Sequence, residues 1–400
     1  MRDRRRILTT HVGSLIRPPE LIAYYQAIER ALDGGPPVDE AAFETCVRES
    51  VGAAVERQAQ LGIDVVSDGE FGKSWLWANY TIDRMSGLEQ RELSPGEKPF
   101  SPIHGKDRRD FAEFYTEYDQ TRIFFGRERG RTRRWTVTGP IKYVGHAAVA
   151  RDIAGLKQAL AAVTVADAFT TAVAPGSMLP ERDDRYYRSE EEALFAIAEA
   201  LQEEYRAIID AGFILQVDDA YLASWYDMMP PNGTLADYRK WVGVRIAALN
   251  QALKGLPEER TRVHVCWGSW SGPHSTDVPL EAIIDLILTI KTGGYVLEAA
   301  NVRHEHEWHV WENVKLPDGR CLVPGVVSHH TNLIEHPRLV ADRIVRFARL
   351  VGRDNVIAGT DCGFSPGPFQ RRFHPSIMWA KLETLVAGAK LATKELWGSD

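Results

Sequence analysis

The stretch RVHVCWGS, residues 262–269, alternates apolar and metal-capable side chains. Residues two apart on a strand project to one face. His264 and Cys266 therefore share one face, and Val263 and Val265 share the other. The run then ends in Gly268 and Ser269, so the strand delivers its polar face to a loop. Eight more short apolar runs end in polar or small residues in the same way: ILTTHVGS (7–14), IDVVSDGE (63–70), RWTVTGP (134–140), AFTTAVAPGS (168–177), FILQVDDA (213–220), GYVLEAAN (294–301), CLVPGVVS (321–328) and NVIAGTDCG (355–363). Helical patterns over 40–61, 147–163, 189–211, 234–254, 279–291, 336–351 and 374–395 separate them. Strands alternating with helices pair in parallel through βαβ crossovers. The reading is α/β, a (β/α)8 TIM barrel, in which strand ends far apart in sequence converge on one face. Nine candidates exceed eight strands. RWTVTGP is set aside as a hairpin with TRIFFGRE (121–128) through Gly130. The polar, irregular segment around 84–133 reads as an insertion over one rim of a single catalytic barrel domain spanning 1–400.

Composition bounds the function. The 400 residues are 44% hydrophobic and 26% charged, ordinary for a globular chain, and the net charge of -7 disfavours a nucleic-acid binder. The basic start MRDRRR leads into no long apolar run, and no later segment is long enough to span a membrane. The expectation is a cytoplasmic protein with no nucleic-acid or membrane partner. A homo-oligomer is compatible with the sequence and not required by it.

Cysteines in a large cytosolic chain are buried, metal-bound or reactive rather than paired. Cys46 lies in a helical pattern and reads as packing. Cys321 enters its strand and reads as structural, at the barrel bottom. Cys266 and Cys362 leave theirs. With His264, and Glu298 at another strand end, they make a His, two Cys and Glu set suited to Zn2+. The competing reading is a buried histidine with unrelated core cysteines. HEHEWH (304–309) is not H-E-x-x-H, because Trp308 occupies the second histidine position. It reads as a polar loop or first turn.

These residues resemble the C-terminal catalytic barrel of cobalamin-independent methionine synthase, in the superfamily that includes uroporphyrinogen decarboxylase. The likeness runs from TTHVGSLIRPPEL (9–21) to GTDCGFS (359–365). H-x-C, then Glu, then D-C-G is specific for the zinc-thiol alkyltransferases of that group. The resemblance implies that His264, Cys266, Glu298 and Cys362 bind zinc. It implies that Gly13 and Ser14 hold an amino acid's carboxylate, that Glu70 and Asp218 hold its ammonium, and that His330 shuttles a proton. His329 is expected to face away in an extended segment. Ser328 stands where the family has Asp, Asp219-Ala220 replace Glu-Pro, and His146 takes the place of a pteridine-stacking Trp.

The implied activity is a zinc-dependent transfer of a methyl (alkyl) group to a thiol, with homocysteine, giving methionine, as the favoured acceptor. The donor is a methyl-tetrahydrofolate type or another small methyl donor, for which Trp75, Trp77 and Tyr80 would form a wall or else fill core. Three alternatives stay open. One is a thiol alkyltransferase with another acceptor or donor, like a coenzyme M transferase. Another is a lyase or decarboxylase of the same superfamily, gripping carboxylates through RTRR (131–134) or Arg371 and Arg372. The third is a barrel that only binds metal.

Overall fold

The structure, a computed structural model, describes residues 5–398 apart from 33, 74–77, 98–104, 122–132, 180–181 and 371. Eight parallel strands form one sheet: β1 (Leu8–Thr9), β2 (Val65–Ser67), β3 (Asp167–Val173), β4 (Ile214–Asp219), β5 (Thr261–Val265), β6 (Gly294–Leu297), β7 (Cys321–Val327) and β8 (Ile357–Thr360). Their order is β1-β8-β7-β6-β5-β4-β3-β2. Each neighbour pair is parallel, and β1 and β2 are left as the two edges. Asp64, just before β2, joins those edges. Its N–H donates to Thr9 O at 3.1 Å, and its Oδ2 accepts from Thr9 N at 2.8 Å. The sheet thus closes into a (β/α)8 barrel.

The alternation read in the sequence governs the packing. Val263 and Val265 of β5 and Tyr295 and Leu297 of β6 face the helices. The barrel interior is filled by Leu8, Val296, Cys321, Val323 and Ile357, and by Val65, Phe169 and Ile214. Cys321 therefore packs in the interior, below the mouth. Arg262, two residues before His264, is fully buried over the Phe169 ring. It donates to Gln216 Oε1, Thr10 Oγ1 and His11 O, so its charge is carried by hydrogen bonds rather than by an ion pair. That polar layer is the floor of the mouth.

Helices follow the strands. Glu40–Leu61 starts at an Asp39 cap and stops at left-handed Gly62. The helix expected over 279–291 is broken into Leu280–Ala282 and Ile284–Ile287. Its β-branched run (Ile283, Ile284, Ile287, Thr289, Ile290) is poor helix material. RWTVTGP lies outside the barrel, as expected. Arg133–Val137 pairs antiparallel with Leu88–Glu92 and parallel with Arg182–Asp184. The proposed partner TRIFFGRE lies outside the described residues apart from its first residue.

The described part of the inserted segment docks on the loop after β5. Asp107, 1% exposed, accepts from Tyr115 Oη, His274 N, Ser275 N and Ser275 Oγ at 2.6–3.2 Å. Trp270 Nε1 donates to Tyr115 Oη at 2.9 Å. Asp227 accepts from Asp107 N and Thr276 Oγ1. A buried carboxylate and two rings thus fix the insertion against the exit of the His264–Cys266 strand.

Candidate active site

Period two brings His264 and Cys266 to the mouth, and the end of β8 brings Cys362 opposite them. Ligand atoms of these three lie within 4.8 Å of one another. Cys266 Sγ and Cys362 Sγ are 3.6 Å apart. Sharing a proton across that distance holds Cys362 well below the ordinary thiol range and Cys266 well above it. His264 is 3% exposed, and neither ring nitrogen meets hydrogen-bond geometry. Burial opposes a charged ring there, yet Cys362, Asp218 and Glu298 raise its pKa to about 9. Buried imidazole nitrogens without partners, facing two sulfurs, are a donor set that suits a soft divalent ion such as zinc.

Glu298 stands beside this trio rather than within it. Its Oε1 accepts from Trp267 N at 2.9 Å. Its Oε2 accepts from Asn301 Nδ2 at 2.7 Å and from Arg303 Nη2 at 2.9 Å. Burial works against this carboxylate, but Arg303, His304 and His330 hold its pKa at about 2. Glu298 forms a second cluster with His329 and His330, again within 4.8 Å. His329 does not face away: its ring centroid is 4.0 Å from that of His330. The chain bends after β7, with His330 N donating to Ser328 Oγ, so the two histidines do not alternate as they would on a strand. Burial first, then Arg303 and Arg372, lowers the pKa of His330 to about 3. Its Nε2 accepts from Arg303 Nη2 at 3.0 Å, which assigns the ring proton to Nδ1.

The residues expected to hold an amino acid meet on the other side of the mouth. Glu70 is 3% exposed and adopts φ 61, a left-handed conformation that is costly for glutamate and found mainly at functional sites. Its Oε1 accepts from Thr171 Oγ1 at 2.8 Å, while Oε2 is buried without a partner. Burial, reinforced by Glu70 and opposed by His264, pushes Asp218 up to about 7. Gly13 has φ 126, and a Cβ there would lie 2.6 Å from Thr171 Cγ2 and 3.0 Å from Glu70 Oε1. The chain can approach Glu70 this closely only as glycine. Ser14 abuts Gly363, where a Cβ would meet Ser14 Oγ.

Several neighbours were not singled out from sequence. Lys73 Nζ donates to Thr171 Oγ1 at 2.6 Å and to Thr171 O at 3.0 Å, so a buried ammonium reaches Glu70 through one hydroxyl. His11 Nδ1 accepts from Gly13 N and its Nε2 meets Gln58 Oε1, which fixes the Gly13 turn. Of the HEHEWH run, His304 is buried, paired with Glu307 and packed on Trp267. His146 sits on the outer surface with Glu203, not at the mouth. Tyr80 is core, bonded to Glu204. Trp75, Trp77 and Arg371 lie outside the described residues, as do Arg131 and Thr132 of RTRR. Arg134 pairs with Glu97 in the side sheet. Arg372 stands where its charge acts on Cys362, Cys266 and Glu298.

This architecture is similar to that of solved B12-independent methionine synthases. The structure of such an enzyme from Shewanella sp. W3-18-1, in complex with selenomethionine, matches with TM-score 0.71 and 21% identity, over 98% of this chain and 100% of that one. A putative vitamin-B12 independent methionine synthase from Listeria monocytogenes matches with TM-score 0.64 and 18% identity, over 98% and 100%. In sequence, the chain is 23% identical to the methionine synthase of Thermococcus kodakarensis, over 97% of this chain and 94% of the relative. It is 24% identical to the uncharacterised protein YxjH of Bacillus subtilis, over 94% and 92%. It is also 24% identical to the 2-hydroxypropyl-CoM lyase of Xanthobacter autotrophicus, over 91% and 89%. No protein-family model matches. The resemblance read from the motifs is borne out along the whole chain.

Proposed function

We propose that the chain is a zinc-dependent methyltransferase that moves a methyl group to the thiol of homocysteine, giving methionine. The observation that carries this reading is the trio of buried His264 and Cys266 with half-buried Cys362, set in one mouth with a carboxylate that has an open oxygen, Glu70 Oε2. His264, Cys266 and Cys362 would hold zinc, with Glu298 as an exchangeable fourth ligand. Zinc in such a set lowers the pKa of a substrate thiol, so that it reacts as a thiolate at neutral pH.

The chain's own residues supply the rest. Glu70 Oε2 and Asp218 accept the α-ammonium, and Gly13 and Ser14 take the carboxylate. The Lys73–Thr171–Glu70 chain keeps the Glu70 carboxylate turned so that only Oε2 is open. His330, beside Glu298, is the residue we assign to proton exchange with the departing donor, taking a proton up on Nε2 before giving it. The described part of the insertion around Asp107 is pinned to the loop that follows the His264–Cys266 strand. Residues 1–400 act as one catalytic unit, with the 84–133 segment as its rim. The relative named methionine synthase supports this reading. Among the described residues, no helix is long and apolar enough to cross a membrane.

A second reading is favoured by two observations, the relative named 2-hydroxypropyl-CoM lyase and the placement of Arg372 by the sulfurs. It is thiol alkyl chemistry on an acceptor that carries an anionic group instead of an amine. One assay separates the two. Zinc-loaded protein is given homocysteine or an amine-free thiol, with mono- or triglutamyl methyl-tetrahydrofolate or a panel of small methyl donors. Methionine formation is expected, with the two folate lengths used about equally. Turnover of the amine-free thiol alone would overturn the homocysteine reading.

A further inference from the structure

Arg303 lies on the loop after β6 and takes no part in the roles assigned above. Its guanidinium joins three segments of the mouth. Nη1 donates to Asp277 Oδ2 at 2.5 Å and lies 2.9 Å from His274 Nδ1, both on the loop after β5. Nη2 faces Gly268 O at 3.2 Å, Glu298 Oε2 at 2.9 Å and His330 Nε2 at 3.0 Å. The Arg303 side chain is 12% exposed and that of Glu298 is fully buried. A charge-assisted bond in such a place is strong, and breaking it leaves a buried charge in search of another partner.

The arrangement has two consequences. Asp277 and His274 anchor Nη1, so the guanidinium stays in place whether or not Glu298 remains on it. Nη2 has two hydrogens and faces three acceptors, so departure of Glu298 turns a hydrogen fully onto His330 or Gly268. The end of β6 and the histidine after β7 are thereby linked through one nitrogen.

We infer that Arg303 is a latch that competes with zinc for Glu298, holding the carboxylate beside the His264, Cys266 and Cys362 trio and so keeping one position exchangeable for a thiol. This rests on the zinc reading above and adds a positioning residue to it. In Arg303→Met the Glu298 carboxylate loses the cation hydrogen-bonded to it, so zinc competes for it against Trp267 N, Asn301 Nδ2 and more distant charges only. In Arg303→Lys the charge is kept, but an ammonium lacks the planar fork that spans Asp277, Glu298 and His330 at once.

The test is zinc affinity, measured by competition with a chromophoric chelator, on the full-length metal-stripped protein. Arg303→Met is expected to bind zinc about tenfold more tightly than wild type, the scale of one charge-assisted hydrogen bond. Arg303→Lys should fall between the two, and it carries the test if Arg303→Met does not fold. In a Glu298→Gln background, Arg303→Met should change nothing further. Equal or weaker zinc binding by the Arg303 variants overturns the latch. So does a tightening that persists in the Glu298→Gln background, because it would be a structural effect independent of the carboxylate. Failure of wild type to take up zinc overturns the functional reading and the latch together. Uptake of zinc with no dependence on Arg303 overturns the latch alone.

Discussion

Two sulfurs 3.6 Å apart, with a histidine that has no other partner, define the chemistry at the scale of single residues. Cys266→Ser and Cys362→Ser should each abolish the binding of about one zinc per chain, because a four-ligand site loses its softest donor. Cys46→Ser and Cys321→Ser should retain it, since both side chains pack among apolar neighbours away from the trio. Elemental analysis after chelator-free purification distinguishes the four. Glu70→Gln should raise the KM for homocysteine by about 10- to 100-fold, the worth of a charge-assisted bond. It should leave the KM of an amine-free thiol nearly unchanged. His264, Cys266 and Cys362 were legible because strand alternation and polar strand ends announce themselves in sequence. Arg303, Lys73 and His11 were not. An arginine on a loop, a lysine in an aromatic run and a histidine two residues before a glycine look ordinary until the fold brings their partners to them. His329 was misjudged because alternation was extended past the last residue of β7, where the chain bends.

At the scale of elements, the junction between the insertion and the loop after β5 rests on Asp107. Burial opposes its charge, but bonds from Ser275, Tyr115 and the backbone hold its pKa below the ordinary carboxylate range. A depressed carboxyl contributes stability above its unfolded pKa of about 4, and that contribution is lost as pH falls through the lower, folded value. Asp107→Asn should therefore lose about 1–3 kcal/mol at neutral pH, the cost of a buried hydrogen bond to a charged group. The gap from wild type should narrow on acidification below about pH 4. Denaturant melts at several pH values check this, and a gap that widens in acid would contradict it. Eight strands and their order were readable because each barrel strand is a short apolar run bounded by helices. The ninth was correctly set aside from the barrel, and its described partners come from distant segments that no local pattern links: Arg133–Val137 lies between Leu88–Glu92 and Arg182–Asp184. The 279–291 pattern had helical period but β-branched content, and the content prevailed.

For the whole molecule, a barrel fold shared at 21% identity shows how little sequence is needed to keep the scaffold. Function is then decided by what stands at the mouth. Here a soft trio lies between an acidic wall around Glu70 and Asp218 and an arginine-bearing wall around Arg303 and Arg372. On the proposed reading, the Glu70 side would hold the ammonium and carboxylate of homocysteine, and its terminal sulfur would reach the trio. X-ray absorption at the zinc edge, before and after adding homocysteine, reads that arrangement directly. Before addition the spectrum should show two sulfurs and one imidazole nitrogen from the chain, completed by a light atom. Homocysteine should add one sulfur and remove the light atom. A protein that takes up no zinc, or a sulfur count unchanged by saturating homocysteine, would contradict the account.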